Sequence, residues 1–210
     1  MKLDFGNARS ATPISTARGF SLLELFLVIS IIVVLFTLYF SSGSKNFQER
    51  KISECQKNLQ NIYAAFRTYA LDNNDALPAL PGAQTSEAPL SSLIPKYTTG
   101  SEFFVCPGSK DKPLPDAQPF ANRKISYAFY MGRKLSGGAG SPLMSDEQVN
   151  TLAKTAGQNV FSPDGKPPGD NHNKFGGNVL FCDGNVQSTP AKAAFNLPTG
   201  PGVTLLNPKP

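Results

Sequence analysis

Few side chains in this 210-residue chain are placed to do chemistry, and the first is a carboxylate among oily neighbours. Glu24 lies inside residues 20–40, FSLLELFLVISIIVVLFTLYF, a stretch holding one charge and three aliphatic hydroxyls, Ser21, Ser30 and Thr37. An ionised carboxylate in hydrocarbon costs a few kcal/mol on insertion scales, so it calls for a partner. The second group is the single histidine, His172, in the segment DNHNKFGGNVLFCDGNV, with Asp170 and Asp183 nearby. These three could form a metal or hydrogen-bond clasp across a loop. The alternative, and the preferred reading, is turn chemistry: Gly184 supplies positive φ after Asp183, and His172 bonds loop backbone. The third group is the cysteines, Cys55, Cys106 and Cys182, with no CxxC spacing of the zinc kind. No GxSxG-type nucleophile motif is present, and Cys182 falls in a stretch of buried-strand character, so catalysis has little support.

These groups must be held by elements that the pattern of apolar residues outlines. Residues 20–40 are apolar all round and long enough for about 30 Å of helix, the thickness of a bilayer's hydrocarbon core. A buried core helix would be shorter and one-sided. Beyond it the pattern becomes amphipathic: Ile52, Cys55, Leu59, Ile62, Phe66 and Tyr69 recur at spacings of three and four. The pattern predicts one continuous helix from about Phe20 to about Asp72, embedded in lipid over residues 20–40 and lying on a soluble domain over 41–73. Asn73, Asn74, Asp75 and then Pro78 end it. Residues 74–189 are rich in Pro, Gly and Ser. EFFVC (102–106), KISYAFYM (124–131) and NVLFC (178–182) have strand character, and residues 185–188 return after Asp183-Gly184 in a tight hairpin. Residues 91–97 read as a brief helix or turn, and 190–210 as an irregular tail. The fold class expected is α+β, a long N-terminal helix packed on a small antiparallel sheet. Net charge is +5 with both signs mixed and no basic block, so nucleic-acid binding is not expected.

Residues 18–24, RGFSLLE, running into the apolar helix, resemble the processing signal of type IV prepilins and type II secretion pseudopilins. DNHNKFGGNVLFCDGNV resembles the C-terminal His-X9-Asp-Gly element of a pseudopilin-like family found in Planctomycetes and Verrucomicrobia. Here ten residues separate His172 from Asp183, one more than that pattern has. CQKNLQNIYAAFRTYALDNNDALP, FVCPGS and ISYAFYM fit the same family. The resemblance implies a pilin-like fold, a leader over residues 1–19, and a prepilin peptidase that cuts between Gly19 and Phe20 and N-methylates Phe20. The freed amine of one subunit then meets Glu24 of another, and the carboxylate becomes a register device for assembly. The bland reading is a glutamate that snorkels at a helix start and favours the positive end of the dipole. The implied partners are other pilin-like subunits, an inner-membrane assembly platform and its ATPase, with the soluble domain periplasmic.

No cofactor is expected. Calcium is a subsidiary reading, because major pseudopilins hold it with loop oxygens. Asp164, Asp170 and Asp183 could contribute, but calcium takes six to eight oxygens and histidine suits it poorly. Among the cysteines, Cys55 with Cys106 would staple the sheet to the helix, closing a loop of about 50 residues worth about 3–4 kcal/mol in the chain-entropy treatment. Cys106 with Cys182 is the alternative pair. The function expected is a structural subunit of a type II secretion pseudopilus, with a type IV or DNA-uptake pilin next. A membrane-anchored binding module that never assembles, and a secreted enzyme cut near Gly43, are the competing classes.

Overall fold

The computed structural model describes residues 21–112 and 118–210, excepting the side chains of residues 40–45. Gly19 and Phe20, the expected cleavage pair, lie outside the described residues. The fold mixes helix and sheet: helix α1 (Leu22–Asp72), a short helix α2 (Glu87–Leu90), four 3-10 turns among the described residues, and a five-stranded antiparallel sheet. The chain divides into two compact units, the second running Ser44–Pro210.

In the first unit, Leu22–Tyr39 of α1 is long and apolar enough to cross a membrane, and none of it is buried within the protein. Leu22, Phe26 and Tyr39 are each at least three-quarters exposed. Its two aliphatic hydroxyls are already satisfied: Ser30 Oγ donates to Leu27 O and Thr37 Oγ1 to Val34 O, each at 2.8 Å. Bonding of this kind within the helix spares those two donors from needing solvent, which suits hydrocarbon. It would also suit a signal sequence.

In the second unit, Cys55, Leu59, Ile62, Phe66 and Ala70 of α1 are all buried, one stripe at helical spacing. The stripe packs on one face of the sheet, where Phe66 stacks on Phe129 at 5.5 Å between centroids. The helix ends where Asn74 and Asp75 take positive φ, and Asp75 N–H donates back to Ala70 O at 2.9 Å. Asparagine and aspartate tolerate this left-handed turn better than other non-glycine residues.

The sheet consists of β1 (Tyr127–Met131), β2 (Pro142–Asp146), β3 (Gly177–Phe181), β4 (Val186–Thr189) and β5 (Thr204–Leu206), in the order β4-β3-β2-β1-β5. It is a meander whose final strand returns to the free edge of β1. Both faces are covered over β1, β2 and β3, so these strands show no polar alternation, whereas β4 at the edge exposes Gln187 and Ser188. Tyr127, Phe129, Met144 and Leu180 face the helix; Ala128 and Tyr130 pack with Leu205, and Val179 and Phe181 with Val160, Phe161 and Leu197, on the other side.

Four expectations change. EFFVC is not a strand: Ser101–Phe104 is a 3-10 turn that buries Phe104, because one large ring can be sunk by a turn as well as by a strand. The β2 segment PLMSD was not anticipated, its proline, serine and aspartate masking a fully buried strand. The tail is not wholly irregular, since it supplies β5, with Leu205 and Leu206 buried. The Asp183-Gly184 hairpin has a three-residue loop, Cys182 to Gly184, with Phe181 N–H bonded to Asn185 O at 2.9 Å. Gly184 sits at φ 85°, the left-handed residue that such a loop needs.

That turn rests on α1. Tyr63 donates its hydroxyl to Cys182 O at 3.0 Å, and a Cβ built on Gly184 would lie 2.4 Å from the Tyr63 ring. Gly184→Ala therefore combines a disfavoured φ with a clash, and should cost about 2–3 kcal/mol. Equilibrium urea unfolding of the detergent-solubilised chain, followed by near-ultraviolet circular dichroism, measures it.

A candidate site of two cysteines, a histidine and an aspartate

His172 is wholly buried, and the groups around it come from four separate segments. Cys55 lies on the buried stripe of α1. Cys106 follows the 3-10 turn Ser101–Phe104. Asp146 ends β2 and pairs in register with Tyr127 of β1, on the helix-facing side of the sheet. His172 itself sits in the loop entering β3. All four are at most 1% exposed, and one ligand-type atom from each lies within 4.8 Å of the others.

Cys55 and Cys106 are joined in a disulfide across 51 residues, with Cα atoms 5.5 Å apart. Cys182, the third cysteine, is free and buried. Burial pushes its thiol up to about 11, which keeps it protonated and unreactive at neutral pH.

His172 Nε2 is 3.3 Å from Cys106 Sγ and 3.3 Å from Asp146 Oδ2. Asp146 is the hub of a buried network. Its Oδ1 accepts from Asn171 Nδ2 at 2.9 Å, and its Oδ2 from the Asn178 N–H at 2.7 Å and Asn178 Nδ2 at 3.3 Å. Asn171 Nδ2 also reaches Ser126 O at 2.6 Å, and Asn178 Nδ2 reaches Ile52 O on α1 at 3.0 Å. The chain of bonds continues outward: Ser188 donates to Asn178 Oδ1 and Gln56 of α1 donates to Ser188. A buried carboxylate is tolerable only when its oxygens are bonded in this way.

Two glycines make the room. A Cβ on Gly108 would lie 2.4 Å from both His172 Nδ1 and Asn171 O, and one on Gly177 would lie 2.9 Å from Asp146 Oδ2. His172 Nδ1 has no hydrogen-bond partner among the described residues.

The geometry limits the chemistry. A thiol–imidazole–carboxylate relay puts the nucleophile on one ring nitrogen and the carboxylate on the other. Here sulfur and carboxylate share Nε2, and no face of the group opens to a substrate. Convergence of two sulfurs, one imidazole nitrogen and one carboxylate oxygen on a common point is instead the donor set of a tetrahedral zinc-type centre. It is unsuited to calcium, which takes oxygen ligands.

The metal set expected from the sequence was Asp170, His172 and Asp183. The structure brings only His172 into the cluster. Asp183 is exposed in the β3–β4 loop, where its Oδ1 accepts from Asn185 N–H at 3.0 Å. Asp170 lines a separate cavity of about 500 Å³ with Asp111, Lys124 and Glu147. Asp164 is exposed and bonded to Ser162. Asp146 was missed because it lies 26 residues before His172 in a segment without strand periodicity. Asn171 and Asn178 lie within the quoted histidine motif and could have been noticed as buried-amide candidates. Glu24 lies apart from all of this, exposed in the first turn of α1, where a negative charge favours the helix dipole.

Comparison with protein-family models, with curated proteins and with solved structures finds no match for this chain.

Two measurements probe the region. Asp146→Ala strips the carboxylate from four contacts and leaves the buried Asn178 N–H unpaired. His172 Nε2 keeps Cys106 Sγ as a neighbour, so the cost should be about 1–3 kcal/mol for each buried donor left unsatisfied, read by urea unfolding. In the neighbouring cavity, burial, reinforced by the nearby Asp111 and Asp170 charges, holds Glu147 above its ordinary value, against the Gly169 N–H and Lys124. The folded state thus favours the protonated form. Its contribution is complete below the unfolded value of about 4.3 and is lost as pH rises through the folded value. Glu147→Gln should therefore melt a few degrees higher than the parent at pH 7, with the gap closing as the pH falls through the mildly acid range. A pH series of thermal melts checks the sign.

Proposed function

We propose that the chain is a structural, non-catalytic subunit of a type II secretion pseudopilus, cut between Gly19 and Phe20 and assembled through the apolar part of α1. The observation that carries this reading is the combination in one helix. Leu22–Tyr39 is wholly exposed and apolar, while residues 52–70 bury a stripe on an α+β domain. An exposed apolar helix is stable only in lipid or among like helices. Membrane anchoring and helix-to-helix assembly are the two states that a pilin-like subunit passes between. RGFSLLE supplies the processing signal, and Glu24 the charge that a neighbouring chain's N-terminal amine would neutralise. The partners on this reading are a prepilin peptidase, other pilin-like subunits, and an inner-membrane platform with its ATPase; the folded domain stands in the periplasm.

The test is the intact mass of the native membrane-bound protein. The expected form begins at N-methylated Phe20. Gly19→Ala should retain the heavier form. Glu24→Val should insert normally, yet reduce the fibre recovered by shearing at least tenfold. A mature chain that keeps Met1 makes this a tethered module instead, and a soluble product starting near Ser44 makes it a secreted domain. Fibres at parental level with Glu24→Val would remove the register role of the carboxylate.

A further inference from the structure

We propose that Cys55, Cys106, Asp146 and His172 form a zinc site that is available when the Cys55–Cys106 disulfide is open, so that covalent bond and metal ion are alternative closures of one centre. This does not depend on the assembly reading above.

The argument rests on convergence. A neutral imidazole nitrogen is either a donor or an acceptor. Nε2 of His172 faces Cys106 Sγ and Asp146 Oδ2 at 3.3 Å each, and it can donate one hydrogen to only one of them at full strength. A divalent cation placed among these atoms would use the nitrogen, oxygen and sulfur lone pairs together. With Zn–N and Zn–O near 2.0–2.1 Å and Zn–S near 2.3 Å, the edges of a tetrahedron are about 3.3–3.8 Å. Two of the three edges at Nε2 already have about that length, and all four ligand atoms lie within 4.8 Å of one another. The bonded sulfurs must part, which breaking the disulfide permits.

The outer groups of such a site are also present. Cys106 Sγ accepts from the Gly108 N–H at 3.2 Å, which would stabilise a thiolate. Asp146 is oriented by Asn178 and by Asn171, with Oδ2 3.3 Å from His172 Nε2. Supporting bonds of this kind are what fixes metal ligands in position. Metallation through Nε2 sets the tautomer with hydrogen on Nδ1, the ring atom that has no protein partner among the described residues and lies against Gly108.

The steps balance as follows. A dithiol reductant gives two electrons and two protons; the Cys55–Cys106 S–S bond breaks, two S–H bonds form, and the reductant closes its own disulfide. Zn²⁺ then binds both sulfurs, His172 Nε2 and Asp146 Oδ2, and the two thiol protons leave to solvent. Oxidation of the thiolates by a disulfide oxidant reverses this and releases the ion.

The test uses the full chain in detergent, stripped of metal under anaerobic conditions. It is reduced with a water-soluble phosphine, which takes its oxygen from water and does not compete for the ion. Co²⁺ alone is the probe. The expected result is one Co²⁺ per chain, with the visible bands of tetrahedral coordination and a thiolate charge-transfer band. Both should appear only after reduction and be displaced by Zn²⁺. His172→Gln and Asp146→Asn should each weaken binding at least about tenfold, the lower end of what even supporting groups cost. Cys182→Ala should bind as the parent does. X-ray absorption on the reduced, Zn²⁺-loaded parent needs no variant to fold, and should count two sulfur and two nitrogen or oxygen neighbours. Equal binding by the oxidised chain, indifference to His172→Gln, loss of binding with Cys182→Ala, or a different ligand count would each overturn the assignment.

Discussion

A single buried carboxylate organises the second unit. Asp146 sits at the end of β2 on the sheet face that α1 covers, where nothing apolar could satisfy it. Its oxygens must find donors inside the protein, and those they find decide the local architecture. The Asn178 N–H ties β2 to β3; Asn171 ties the 170–176 loop to Ser126; and the Asn178 amide reaches over to Ile52 on the helix. His172, brought in by the same loop, fills the remaining position and lands against the Cys55–Cys106 disulfide. Gly108 and Gly177 are small because the histidine ring and the carboxylate occupy the space that side chains would take. One charged group at the helix–sheet seam thus fixes a loop, two strands and the height at which α1 crosses them.

Much of the fold could be read from residue order, and the limits have physical causes. The stripe from Cys55 to Phe66 was legible because helix burial repeats every three or four residues whatever lies opposite, while Ile52 and Tyr69 at its ends are only half-buried and Ala70 takes the last core position. The Asp183-Gly184 turn and the αL ending at Asn74-Asp75 were legible because those residue types answer a local backbone demand. β2 was hidden because its aspartate becomes a core residue only through donors 25 and 32 residues downstream. β5 was hidden because three residues give no period, and it exists as an edge for β1 to pair with. EFFVC misled because a short apolar run says that something is buried without saying in which backbone conformation. For the site, the residue types were all visible, but which carboxylate would meet His172 is a matter of tertiary register and not of spacing along the chain.

The disulfide and the Asp146 network occupy the same seam, and they differ in what they resist. Cross-linking Cys55 to Cys106 limits the unfolded chain, whereas the hydrogen bonds act only in the folded state. Asp146 is held by the network and Cys106 Sγ by the Gly108 N–H, neither of which depends on the covalent bond. On the proposal above, opening the disulfide would leave these ligands preorganised, and preorganisation is what lowers the cost of binding an ion. The compartment that the domain occupies would then decide which closure it carries, since oxidising surroundings favour the bond and reducing ones free the thiolates.

If the chain assembles through its apolar helix as proposed, force on the second unit would enter through the residues of α1 that pack on the sheet. The links available for this are concentrated between Ile52 and Tyr63. They are the Ile52 carbonyl with Asn178, Cys55 with Cys106, Gln56 with Ser188, Asn58 with Val105 O, and Tyr63 with Cys182 O. They reach the Cys106 turn, β3, β4 and the hairpin loop, so the load is shared among several elements instead of resting on one. The apolar stripe from Leu59 to Ala70 contributes area but, being non-directional, resists sliding poorly. Directional bonds at the near end of the stripe and a covalent or metal closure beside them supply the shear resistance that hydrophobic packing lacks. The polar seam is accordingly where stability of the domain and its coupling to the helix become the same requirement.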